Sequence, residues 1–330
     1  MRLTAFRQSE ITLGLDLGNT KQYGILLETR RQKAVSYRTF SSTGSLWEDS
    51  EPLAALLRQI DQLDPEKQAA LSLCVTGYPL MLKELPVMPY MKESDLERFV
   101  ANEVEQYFNW TAEECLFDFA VLPVTEKQRK TLKQTQVVLY AMPKEPIHAL
   151  LLRLHQSGRT LQALDLRSNA IYRCLAAKTE PKTYQVILDF TAEPIECSIF
   201  RDGLLRRLRN FAHPVSEDSV SVPSLAFPDM IRDVAAFLTF YQQETENAFL
   251  SELFLLLPQE REEMFEILAT ELQKLLIADR LSDHFKVISL AALLNQRLHQ
   301  TADAILRPMD ASYAAAFGLT LYPFEQETKP

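Results

Sequence analysis

The reading of this chain turns on residues 11–27, Ile11-Thr12-Leu13-Gly14-Leu15-Asp16-Leu17-Gly18-Asn19-Thr20-Lys21-Gln22-Tyr23-Gly24-Ile25-Leu26-Leu27. An apolar run from Ile11 to Leu15 delivers Asp16 to a small polar turn, and a second run, Tyr23 to Leu27, leads away from it. Two such runs joined by a short Gly/Asn turn predict a β-hairpin. At Gly18 the missing Cβ permits positive φ and lets a phosphate approach the main chain, with Thr20 and backbone N–H groups as donors. A carboxylate at Asp16, beside that turn, is placed to hold a Mg²⁺-bound water. The same Asp, Gly and Asn also serve an ordinary β-turn, so the hairpin by itself leaves both readings open.

A search for internal similarity at long spacing finds a second copy. Val186 to Phe200, VILDFTAEPIECSIF, aligns without gaps on Leu13 to Leu27 and sets Asp189 on Asp16 (189 − 16 = 173). Each copy reads strand, Asp, turn, strand. The pair resembles the two phosphate-binding hairpins of the actin/Hsp70/sugar-kinase ATPase superfamily. That resemblance implies an α/β chain with the actin-like ATPase fold, two RNase H-like domains with a nucleotide in the cleft between them. It makes Asp16, Gly18, Asn19, Thr20, Lys21, Asp189 and Thr191 the candidate residues for Mg-ATP, with Asp16 reaching the metal through water.

Composition sets the frame. A chain of 330 residues is long enough for about two domains. With 24% charged and 47% hydrophobic residues it reads as an ordinary globular protein, neither disordered nor membrane-embedded. A net charge of −9 argues against a general nucleic-acid binder. Met1 to Glu10 has no apolar core, so no signal peptide is expected, and apolar runs such as Leu253 to Leu257 are too short to span a bilayer. Cys74, Cys115, Cys174 and Cys197 lie far apart without a CxxC or Cys/His pattern and read as reduced, buried thiols.

Outward from the first hairpin, Gln32 to Ser42 predicts a third strand, Pro52 to Ile60 a helix with one apolar face, and Ala69 to Val75 a buried strand ending at Gly77. An inserted α+β subdomain is expected next. It opens with a capping box at Ser94 and Glu97, and Leu96, Phe99, Val100, Val104, Tyr107 and Phe108 form a helical stripe behind it. Strands at Leu116 to Leu122 and Gln136 to Met142 flank a charged loop, Glu126 to Lys133. A helix carrying Ile147, Leu150, Leu151 and Leu154 inward stops at Gly158. Leu161 to Leu166 reads as a strand, and Ser168 as the cap of a helix from Asn169 to Ala177. After the second hairpin come a strand at Arg206 to Asn210, a polar connection from His213 to Pro228 and an amphipathic helix from Asp229. A strand at Leu253 to Leu257, a helix from Glu260 to Ile277, a strand at Phe285 to Leu290 and a closing helix from Ala311 to Leu319 complete the pattern. The division expected is a first actin-like domain of residues 10–84 plus 165–183, an inserted subdomain of 85–164 and a second actin-like domain of 184–322.

Within the insertion, Leu85-Pro86, Ser94-Asp95-Leu96 and Val100-Ala101-Asn102-Glu103-Val104-Glu105-Gln106-Tyr107-Phe108 resemble the E-x-E-Q-Y helix of the PilM family, the cytoplasmic actin-like proteins of type IV pilus assembly. Leu139 to Glu145, Gly158, Leu164-Asp165, Ala170, Ser198 to Gly203 and Tyr313 to Leu319 continue the match in the family's order. The resemblance implies a cytoplasmic adaptor at the inner-membrane platform of a type IV pilus, or of a competence or type II secretion relative. It also implies capture of the short N-terminal cytoplasmic peptide of a single-span membrane partner, with Glu103, Tyr107 and Phe108 as candidate contacts and the pilus motor ATPase as a further candidate partner.

The departures bear on mechanism. The second phosphate loop reads Asp189-Phe190-Thr191-Ala192-Glu193-Pro194, where Glu193 turns negative charge toward a phosphate and Pro194 removes a donor. The expected adenosine turn, Leu255 to Glu260, lacks glycine, and after Gly158 only Gly203 and Gly318 remain. Half of the cradle is intact and half dismantled, so the nucleotide site reads as degenerate and turnover is not expected. The competing reading is an ATP-binding switch or slow ATPase on the residues above, its domain closure controlling the partner groove. The five histidines form no HxH or HExxH, and neither a nucleophile elbow nor a P-loop occurs. Asp118 and Asp165 read as turn caps, and the basic run Arg201 to Arg209 as one exposed face of a strand.

Overall fold

The structure is a computed structural model that describes residues 11–18, 20–30, 33–44, 50–76, 80–111, 113–122, 134–175, 182–212, 227–245, 248–278, 285–301 and 307–321. Asn19, Gly77 and the loops expected at Glu126 to Lys133 and around His213 lie outside them.

The opening stretch forms β1 (Ile11–Leu17) and β2 (Lys21–Arg30), antiparallel with Asp16 opposite Tyr23. β3 (Lys33–Thr43) extends the hairpin, α1 (Ser50–Leu63) follows, and β4 (Ala70–Val75) returns parallel to β1. β8 (Leu161–Leu166) joins β4 in parallel, which gives the order β3-β2-β1-β4-β8. The second half repeats it. β9 (Thr183–Asp189) and β10 (Ile195–Arg201) form a hairpin with Asp189 opposite Glu196, β11 (Leu204–Phe211) extends it, and β12 (Phe249–Leu256) and β13 (Lys286–Ser289) complete the order β11-β10-β9-β12-β13. β1 and β9 are buried almost throughout, as central strands covered on both faces must be.

A third sheet, β5-β7-β6, lies between the halves of the first unit. Its strands are β5 (Met81–Val87), β6 (Cys115–Val121) and β7 (Thr135–Pro143), and α2 (Glu93–Phe108) covers one face. Leu96, Val100 and Val104 pack there on Val137, Leu139 and Ala141, the alternate residues of β7. The capping box does not form: α2 begins at Glu93 with Lys92 as N-cap and no side-chain cap. α3 (Glu145–Gln156), expected inside the insertion, packs instead on the first sheet, its Ile147, Leu150 and Leu154 meeting Leu13, Leu15 and Leu56. A buried Arg159 just beyond it bonds Asp64 at 2.6 Å and Asp61 at 2.9 Å, and so ties the end of α3 to the end of α1. Gly158 has φ +79, and the Gly158 and Arg159 N–H groups bond the His155 and Leu154 carbonyls, which close the helix as expected.

α4 (Arg167–Leu175) begins two residues before the expected start, with Ser168 buried inside it rather than capping it. α5 (Phe227–Glu244) buries Ile231, Val234, Leu238 and Tyr241. The helix expected from Glu260 opens as a 3₁₀ segment, Gln259–Met264, before α6 (Phe265–Ala278). α7 (Leu290–Thr301) is an addition to the sequence reading; Leu290, Leu294 and Leu298 give it one buried face. The closing helix is a 3₁₀ turn at Ala311–Tyr313 followed by α8 (Ala314–Thr320), every residue of which is buried. α8 can sit that deeply because of two glycines. A Cβ on Gly14 would meet the Ala316 carbonyl oxygen at 2.0 Å, and one on Gly318 would meet that of Ala170 at 1.7 Å. One core cluster draws on both halves, joining Ile25, Cys74 and Ala170 to Ile187, Phe200, Phe254 and Phe317. All four cysteines are free and buried, and burial pushes the Cys74 and Cys197 thiols up, away from the reactive thiolate.

Candidate functional site

The two hairpins bring Asp16 and Asp189 to facing ends of β1 and β9, each 1% exposed, and Arg167 lies between them. Arg167 is the first residue of α4, set there because β8 ends at Leu166 in register with Val75 of β4. Its Nη1 pairs with Asp16 Oδ2, its Nε with Asp189 Oδ2 at 2.9 Å, and its Nη2 donates to Thr191 Oγ1 at 2.6 Å. The other carboxylate oxygens are taken as well. Asp16 Oδ1 accepts from Thr76 Oγ1 at 3.2 Å and Cys74 Sγ at 3.4 Å, and Asp189 Oδ1 from the Thr191 N–H at 2.8 Å and hydroxyl at 2.6 Å.

Above this layer the turns touch. Thr20 Oγ1 donates to Glu193 Oε2 at 2.8 Å, and Lys21 Nζ lies 4.0 Å from Glu193 Oε1. Gly18 does not use positive φ; it is needed because a Cβ would meet the Lys21 carbonyl oxygen at 2.5 Å. The space left among these groups is about 20 Å³, room for one water and far less than a triphosphate needs. Beneath, Glu196 is 8% exposed, with Ser198 Oγ 3.2 Å away. Burial first and the Asp189 charge second push its carboxyl up to about 7, against the opposing charge of Arg167.

The structure therefore brings Asp16, Gly18, Thr20, Lys21, Asp189 and Thr191 together around one cleft. They do not fit Mg-ATP. A divalent ion asks for free carboxylate oxygens or their bound waters, and all four oxygens of Asp16 and Asp189 are held by side chains and backbone of the chain itself. Sequence reasoning passed over Arg167 and Glu196. The available signal was an arginine following directly on a strand aimed at two buried carboxylates.

A second clasp joins the insertion to the second half. Arg206, expected on an exposed face, is 3% exposed and makes a two-point contact with Glu84 at 2.9 and 2.6 Å; Arg207 adds a third bond at 2.8 Å. Burial raises the Glu84 carboxyl, but the bonds and charge of the two arginines outweigh it and hold it below its ordinary range. The Tyr140 hydroxyl donates to the Leu205 carbonyl at 2.8 Å beside them.

A cavity of about 510 Å³ lies where the inserted sheet, β8, α4 and the β10–β11 turn meet. Leu116 to Ala120 of β6 and the neighbouring Tyr140 of β7 line it, together with Leu164, Tyr172 and Leu204. β6 pairs only with β7 among the described residues, so its outer edge is open. Asp118 and Asp165, expected as turn caps, both line this cavity. Asp118 lies within β6, and Asp165 pairs with Arg173 and accepts from Asn169 Nδ2 at 3.3 Å. Glu103, Tyr107 and Phe108 do not line it. They lie on α2, across the sheet from Tyr140 and Met142, with Tyr107 exposed under the Lys83 ammonium.

No family model and no curated protein matches the chain. Among solved structures, a chain of a PilM-PilN type IV pilus biogenesis complex is similar with a TM-score of 0.68 at 17% identity, over 97% of this chain and 99% of that one. A Bacteroides thetaiotaomicron protein with an actin-like ATPase fold and unknown function is 13% identical, with a TM-score of 0.47 over 90% and 97% of the two chains. The cytoplasmic domain of EpsL, an inner-membrane component of the Vibrio cholerae type II secretion system, is 13% identical, with a TM-score of 0.48 over 88% and 95%. The resemblance to PilM thus extends in three dimensions along nearly the whole chain, and the fold is the actin-like ATPase fold with an inserted three-stranded sheet.

Proposed function

We propose that this chain is a cytoplasmic adaptor of a type IV pilus or type II secretion inner-membrane platform, and that it captures an extended peptide of a membrane partner between the inserted sheet and the first half. The observation that carries this reading is the 510 Å³ cavity with an open strand edge along β6. An extended peptide adding to that edge gains main-chain hydrogen bonds, and its alternate side chains point toward Leu164, Tyr172 and Leu204. Asp118 and Asn169 offer polar contacts to a peptide with basic or amide side chains. The similarity of fold to PilM from a complex with PilN supports a pilus-type partner. In this reading the partner peptide is the cytoplasmic N-terminus of a single-span inner-membrane protein, and the chain attaches to the membrane peripherally through it. Among the described residues no helix is long and apolar enough to cross a membrane. The motor ATPase is a second candidate partner on the same platform.

The test is fluorescence anisotropy with labelled N-terminal peptides of single-span pilus-platform proteins. Ala120→Lys and Leu204→Glu, both in the cavity wall, are expected to weaken binding at least about tenfold, roughly 1.4 kcal/mol. Tyr107→Ala, on α2, is expected to leave it unchanged. The reverse pattern would move the binding surface to α2, which carries Glu103, Tyr107 and Phe108, the contacts implied by the family resemblance.

A further inference from the structure

We infer that the chain carries its own substitute for a metal-bound phosphate: Arg167 as the resident cation between the two hairpin carboxylates, and Glu193 as the resident anion on the donors of the first turn. The inference rests on the cleft alone and stands apart from the peptide-binding reading.

Three observations carry it. Arg167, 3% exposed at its side chain, contacts one carboxylate from each half, Asp16 and Asp189, at the same time. Its planar fork reaches Thr191 as well, so one guanidinium binds both β1 and the loop after β9. On the solvent side, the Glu193 carboxylate accepts from Thr20 and faces Lys21, two side chains of the first turn suited to meet an anion. Thr20 and Glu193 occupy equivalent places in the two copies, 173 residues apart. Divergence of one duplicated turn has thus produced a donor on one side and an acceptor on the other. The chain itself supplies a cation between the two carboxylates and an anion on the donors of the first turn. Joining of the two halves there depends on no added ligand.

The experiment compares thermal unfolding of Arg167→Gln in two backgrounds, the natural sequence and Asp16→Asn with Asp189→Asn. Where both carboxylates remain, the substitution strands buried charge, and a fall in Tm of roughly 10 °C is expected. Where they are already neutral, the same substitution is expected to move Tm by less than about 3 °C. Equal falls in the two backgrounds would show that Arg167 acts by packing rather than as a cation and would overturn the inference. If Arg167→Gln cannot be recovered in the natural background, the triple variant decides. It should fold with Tm close to that of the double, and its failure to fold would overturn the inference as well. Alongside, wild-type protein in saturating Mg-ATP should keep its Tm within about 1 °C. A larger rise that Asp16→Asn abolishes would show that the ligand displaces Arg167, against the proposal.

Discussion

The hairpins β1–β2 and β9–β10 have the same topology and register, with Asp16 opposite Tyr23 in one and Asp189 opposite Glu196 in the other. Their side chains differ in sign and size. The first turn offers Thr20 and Lys21 as donors; the second returns Glu193 as acceptor, and a buried acid stands where the first copy has a tyrosine that packs edge-on against Tyr313. The comparison teaches that duplication preserves backbone geometry while leaving side chains free to become complementary. Two loops of one backbone design here face each other through complementary side chains.

Breaking the contact at its centre should have the largest effect. Arg167→Ala leaves Asp16 and Asp189 buried without their cation, and a loss of about 3–5 kcal/mol in unfolding free energy is expected by chemical denaturation. The second inter-half contact is smaller but of the same kind. Arg206→Ala removes two of the three arginine bonds to Glu84, leaving only that of Arg207, and should cost roughly 2–3 kcal/mol. Because Glu84 is held below its ordinary pKa of 4.5, the stability this pair contributes is present above that pH and fades as pH falls through the folded value, so the variant and the natural protein should converge in acid. A measured difference independent of pH would contradict the ion-pair account.

Glu196 has the opposite sign. Its folded value is raised from 4.5 to about 7, so the folded state binds the proton more tightly, and stability falls as pH rises between those values. Glu196→Gln should remove that slope, a gain of about 3 kcal/mol at pH 8 relative to pH 4.5. Parallel profiles for the two proteins would show that Glu196 does not titrate in this range. The smallest effect belongs to the outer layer. Glu193 is 43% and Lys21 51% exposed at the side chain, so Glu193→Ala should cost under about 1 kcal/mol and less at high salt.

Much of the frame was legible in the residues. The apolar runs at Leu13, Leu15 and Leu17 and at Val186 and Leu188 mark central strands, and the Asp16/Asp189 repeat announces two halves of one design. The misses follow from tertiary context. Ser94 and Ser168 fit capping patterns, but the chain enters both helices earlier, and local propensity yields to packing there. Arg206 looks exposed because alternation along β11 reports one sheet face, while the insertion that covers that face comes from residues about 120 positions earlier, with Arg206 and Glu84 separated by 122. α3 carries the apolar face read for it, yet periodicity does not say which core a helix joins. Gly318 is a packing glycine, since a Cβ there would run into the Ala170 carbonyl, and Gly318→Ala should be poorly tolerated. The cavity against β6 is assembled from five separate segments, which no local pattern announces.

The most direct test of the central claim is a calorimetric titration of Mg-ATP into the natural protein, with Asp16→Ala as control. If Arg167 and Glu193 occupy the cleft, no saturable heat is expected at micromolar to near-millimolar nucleotide. Micromolar binding that disappears in Asp16→Ala would contradict the account and restore a nucleotide-gated switch.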